Sequence, residues 1–65
     1  MRLWMRKIRV AQGLTLQDIA NAAGVSVQSV AYYESGERTP TVPVAKKIAN
    51  FLGINWTQFF EDKSA

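Results

Sequence analysis

A chain of 65 residues has room for one domain, and its core must be built from local contacts because so short a chain buries only a modest share of its surface. With 48% hydrophobic residues it is too apolar for disorder; with no cysteine and no histidine it forms no disulfide framework or thiolate metal site and lacks the commonest acid–base group, which removes most catalytic chemistry. The net charge is +3, with Arg2, Arg6, Lys7 and Arg9 crowded near the start and Arg38, Lys46 and Lys47 further on, a mild excess that on charge alone fits a solvated surface better than a polyanionic partner.

In chain order, Met5 and Ile8, flanked by Trp4 and Ala11, recur at three- and four-residue steps between Leu3 and Gln12, which predicts a first helix closed by Gly13. Thr15 offers a hydroxyl cap to a second helix. Asp18 stands where a capping box needs a carboxylate, Leu16, Ile19, Ala20 and Ala23 form the inner stripe, and Gly24 is the stop. Ser26 caps a short third helix with Val30 and Tyr33 facing inward, followed by the polar loop "SGERTP" from Ser35 to Pro40. Thr41 is expected to cap a fourth helix carrying Val44, Ala45, Ile48, Ala49 and Leu52, with Pro43 in its first turn and Gly53 at its end. Asn55 with Gln58 repeats the capping pattern for a last helix bearing Trp56, Phe59 and Phe60, and the tail 61–65 is expected to fray. No apolar run approaches the ~20 residues that span a bilayer, and no signal-like stretch follows Met1, so a cytoplasmic protein without a membrane partner is expected.

Leu16 to Glu34 would read as one amphipathic helix but for Gly24. Two helices joined by so short a turn must cross closely, which restricts three positions. Ala20 is small where the next helix passes over it, Gly24 supplies a positive φ, and Val30 fills the wedge between the two. That spacing predicts a helix-turn-helix over about residues 15–34.

From Met5 to Phe60 the chain resembles the phage-repressor and Cro-like (XRE-type) helix-turn-helix family. The resemblance rests on Arg9 four residues before Gly13, "GLT" at 13–15, "IA" at 19–20, "GVS" at 24–26, "YESGERTP" at 33–40 and "KKIANFLGI" at 46–54. It implies an all-α, five-helix, lambda-repressor-like DNA-binding domain spanning 1–65, with helix 26–34 in the major groove. It also implies an ion pair between Arg9 and Glu34, and phosphate contacts from Gln17, Ser26, Ser29, Arg38 and Thr39. Two positions depart from the family pattern. Leu16 stands where a glutamine usually opens the second helix, with Gln17 one place later, so Leu16 either meets a thymine methyl or packs inside. Ala45 replaces a larger apolar residue, and Phe51 is expected to fill the space.

On a helical projection Val27, Gln28, Ala31 and Tyr32 lie opposite Val30 and Tyr33. Gln28 is the expected base reader, since a glutamine amide bonds bidentately to adenine, and Val27 is suited to a thymine methyl. Tyr32 either stacks on the sugar–phosphate backbone or covers the junction of the second and third helices. A single small domain buries too little interface for tight specific binding, so a homodimer on a two-fold operator is expected. Ile54, Trp56, Phe59 and Phe60 are the candidate dimer surface, with core packing as the alternative.

The function these features point to is a sequence-specific double-stranded DNA-binding transcriptional regulator, a repressor of prophage or plasmid type. An antitoxin or restriction–modification controller of the same fold is the alternative within DNA binding, and a protein-interaction adaptor the alternative outside it. An enzyme is disfavoured because Asp18, Glu34, Glu37, Glu61 and Asp62 are grouped with no nucleophile or metal cluster. No cofactor, metal or small-molecule ligand is expected.

Overall fold

Thr15 opens the helix that organises the molecule. In the computed structural model, which describes residues 1–61, its Oγ1 accepts from the Asp18 amide at 3.1 Å while Asp18 Oδ2 accepts from the Thr15 amide at 2.9 Å, a complete capping box for α2 (Leu16–Ala23). Before it lies α1 (Leu3–Ala11); after it come α3 (Val27–Ser35), α4 (Val42–Leu52) and a single turn, α5 (Gln58–Glu61). No strand occurs among the described residues, and no helix there is long and apolar enough to cross a membrane. The fraying expected of 61–65 lies, apart from Glu61, outside the described residues.

Gly24 ends α2 with φ +69°, its amide and that of Val25 both donating to the Ala20 carbonyl. A Cβ added at Gly24 would meet nothing within 4 Å, so the position requires glycine for its backbone angle and not for space. Ser26 then starts α3, its Oγ accepting from the Ser29 amide at 3.1 Å.

The core is Met5 from α1, Ile19, Ala20 and Ala23 from α2, Val30 from α3, Ala45, Ile48 and Leu52 from α4, and Phe59 from α5. α2 packs on both α3 and α4, and the small Ala20 and Ala45 are 1% and 0% exposed. Leu16 is half-buried, with part of its surface packed against this cluster.

Several expectations are corrected. Thr41 occupies the N-cap position of α4, but its hydroxyl makes no capping bond; Pro43 in the first turn lowers the demand, because it has no amide hydrogen to satisfy. Asn55 makes no capping box with Gln58. Its Oδ1 instead accepts from the Thr57 amide at 3.0 Å and from Thr57 Oγ1 at 2.9 Å, a local turn that places α5 two residues later. Phe51 is 42% exposed and does not fill the space beside Ala45; it lies on the outer side of α4 while Ala45 faces inward. Ala11 is exposed. Phe59 is 1% exposed, packed edge-on against Trp4 with ring centroids 5.0 Å apart, so it is a core residue that cannot meet a second copy.

Candidate nucleic-acid interface

The turn at Gly24 carries α3 away from α2 with Val30 as its buried anchor, which leaves the opposite side of α3 facing out. Ser26 and Gln28 are exposed there, while Val27, Ser29, Ala31 and Tyr32 are half-buried. Val27 rests partly on the core, because helical side chains lean toward the helix N-terminus and tip it back over the turn. Only the remaining part of its surface faces outward.

Gln28 Nε2 donates to the Tyr32 hydroxyl one turn on, at 3.2 Å, and the Arg38 guanidinium lies 4.6 Å from the centre of the Tyr32 ring. The expected base reader and the loop cation are therefore joined through one tyrosine. Half of the Gln28 amide's donor capacity and its carbonyl oxygen face solvent, which is the complement a bidentate contact to adenine uses. At the start of α3 the hydroxyls of Ser26 and Ser29 bond to each other at 3.0 Å, leaving one of their two protons for an outside acceptor. Gln17, exposed on α2, is engaged along its own helix, Nε2 donating to Asn21 Oδ1 at 2.8 Å. Arg38 and Thr39 are exposed in the loop after α3, whose return is closed by the Arg38 amide donating to the Tyr32 carbonyl at 3.3 Å.

Behind this surface Arg9 and Glu34 meet as a fork. Arg9 Nε and Nη2 donate to Glu34 Oε2 and Oε1, each at 2.9 Å, and Nη1 donates to the Leu14 carbonyl at 3.0 Å. Side-chain exposures of 16% and 9% make this a largely buried pair. The hydrogen bond to Glu34 raises the Arg9 guanidinium above its ordinary value, burial works the other way, and the Glu34 charge adds to the rise.

Arg2 is the residue that sequence reasoning missed. Counted there among the surface cations, it is 3% exposed. Its amide donates to the Glu34 carbonyl at 2.8 Å, Nη1 donates to the carbonyls of Tyr33 and, at 3.0 Å, Arg38, and Nη2 donates to Thr39 Oγ1 at 3.0 Å. Its guanidinium lies 5.6 Å from the centre of the Phe59 ring. The one available signal is that a helix ending at Ser35 leaves carbonyls in need of donors. Nothing in sequence distinguishes Arg2 from Arg6 as their source.

The other candidates lie elsewhere. Ile54 and Trp56 are partly buried against the core, Phe60 is 41% exposed with its ring 5.8 Å from that of Trp56, and Lys46 Nζ sits 5.1 Å from the Trp56 ring centre. A shallow hollow lined by Leu3, Arg6, Lys7, Val10 and Ala11 lies along α1 and shares no residue with the surface around Gln28.

Comparison with known proteins agrees with the helix-turn-helix of α2 and α3. A helix-turn-helix family model matches residues 5–59. The chain is 44% identical over 62 residues to an uncharacterized HTH-type transcriptional regulator, YqaF, of Bacillus subtilis strain 168, covering 95% of this chain and 82% of that protein. It is 34% identical over 56 residues to the uncharacterized HTH-type transcriptional regulator MJ0272 of Methanocaldococcus jannaschii, covering 86% and 85%. It is 29% identical over 58 residues to the cryptic phage CTXphi transcriptional repressor RstR of Vibrio cholerae, covering 89% of this chain and 52% of that protein. No solved structure matches at a significant level.

Proposed function

The chain belongs to the XRE-type helix-turn-helix family, and from that premise we propose that it is a sequence-specific double-stranded DNA-binding transcriptional regulator, a repressor of prophage or plasmid type acting in the cytoplasm. The observation that carries this reading is the exposed Gln28 amide on the first turn of α3, held toward solvent by its bond to Tyr32. The first turns of α3 enter the major groove. Gln28 reads an adenine, Ala31 and the free part of Val27 offer apolar surface to a thymine methyl, and Tyr32 borders the sugar–phosphate backbone.

Arg38, Thr39, Ser26, Ser29 and, from α2, Gln17 meet phosphates on either side, fixing register without specifying sequence. A relative named as a phage transcriptional repressor supports the repressor role. Two protomers bind a two-fold operator, joined through Phe60 with the exposed parts of Ile54 and Trp56. The reading needs no cofactor and no enzymatic step.

Selection of bound duplexes from random DNA tests it. The chain enriches one two-fold motif with half-sites about one helical turn apart, and Gln28→Ala erases the preference at one base pair of each half-site. Enrichment of no motif would overturn the reading.

A further inference from the structure

Thr39 and Arg38 belong to a loop, and a phosphate-binding loop is useful only if it is held in place before DNA arrives. Besides the Arg38 amide bond to the Tyr32 carbonyl, this one is held by the buried side chain of Arg2. The Arg2 fork bridges the last turn of α3, at the Tyr33 carbonyl, and the loop, at the Arg38 carbonyl and Thr39 Oγ1, while the Arg2 amide takes the Glu34 carbonyl. Phe59 backs the guanidinium from the core side.

We propose that Arg2 is a positioning residue for DNA binding, which fixes the backbone of Arg38 and turns the Thr39 hydroxyl into a phosphate donor. A threonine hydroxyl has one proton and two lone pairs. Here the guanidinium occupies the acceptor side, and the proton has no acceptor among the described residues, so it is left for an outside oxygen. Donation from a cation also polarises the hydroxyl and makes that proton a stronger donor. Arg2 itself is too buried to touch DNA; it acts through Thr39 and through the placement of Arg38. A lysine cannot replace it, because an ammonium is a point donor and does not span the carbonyls and the hydroxyl together.

This inference rests on the DNA-binding reading, and the test separates the two. The probe is a fluorescein-labelled mixed-sequence duplex at low ionic strength, titrated with proteins shown by circular dichroism to be folded at the working temperature. Arg2→Met and Arg2→Lys each bind about tenfold more weakly than wild type, and Arg2→Met lowers the slope of log affinity against log salt by ~0.9 per protomer as Arg38 loses its phosphate. Thr39→Val weakens binding in the wild type and adds nothing in Arg2→Met, whereas Thr39→Ser binds like wild type. A purely structural Arg2 would lower the melting temperature and leave folded-state affinity and slope unmoved. Wild-type affinity in folded Arg2→Lys and Arg2→Met, or a Thr39→Val loss equally large in both backgrounds, overturns the inference. Should neither Arg2 variant fold, equal affinity of Thr39→Val, Thr39→Ser and wild type overturns it, and a deficit confined to Thr39→Val supports it. Failure of the wild type to bind any duplex would instead sink the DNA-binding reading.

Discussion

Glu34 receives both arms of the Arg9 fork, each at 2.9 Å, across a gap of 25 residues in sequence. The pair fastens the end of α3 to α1, so the outward aim of α3 is fixed at its buried anchor Val30 and again at its last turn. Two planar groups matched in this way satisfy each other's hydrogen-bonding groups as well as their charges.

Removing one partner strands the other in a largely buried site. Arg9→Met is expected to cost ~3 kcal/mol, the low end of the range for buried pairs because Arg9 keeps some exposure. For a domain of this size that lowers the melting temperature by roughly 12–24 °C. A change within a few degrees would mean that the pair behaves as a surface contact.

The pair also predicts a pH response. Arg9 is raised in the folded state, so its contribution is complete below the ordinary arginine range and is lost only as pH rises through the still higher folded value. The Arg9→Met penalty in urea unfolding is therefore the same at about pH 7 and about pH 9. A penalty that shrinks over that interval contradicts the assignment.

Gly24→Ala separates angle from space. The new methyl group meets nothing within 4 Å, so the cost is that of φ +69° in an L-residue, ~1–2 kcal/mol. Folded Gly24→Ala binds DNA like wild type if the turn is retained. A loss of DNA binding without loss of helix content would show that the turn relaxes and α3 swings.

Adjacent phenylalanines on α5 should respond in opposite ways. Phe59→Ala removes a fully buried ring and costs ~3–5 kcal/mol. Phe60→Asp, on a side chain 41% exposed, leaves the fold intact and abolishes concentration-dependent dimerisation in sedimentation. A folded Phe60→Asp protein that still dimerises would move the dimer surface elsewhere, with the exposed Leu3 and Val10 of α1 the next place to look.

The sequence disclosed the parts whose geometry is local. The caps at Thr15, Asp18 and Ser26 act within three residues, and the inner faces of α2 and α4 follow from helical spacing. Chemically similar Thr41 and Asn55 make no such cap, because a suitable side chain at a helix start does not dictate that it bonds there. Phe59 and Phe60 were not distinguished, since a one-turn helix has too few residues to show a period. Arg2 was illegible for a different reason: two of its acceptors are backbone carbonyls 31 and 36 residues away, and a carbonyl leaves no mark in sequence. The Gln28–Tyr32 bond lay within reach, as an i, i+4 pair on one helix face.

Mapping backbone amide shifts while the isotopically labelled protein is titrated with its selected duplex tests most directly whether α3 is the DNA-reading element. The largest changes are expected from Ser26 to Tyr32 and at Arg38 and Thr39, with little change along the exposed face of α1. Shifts confined to α1 or α5, with Gln28 and its neighbours unmoved at saturation, would contradict it.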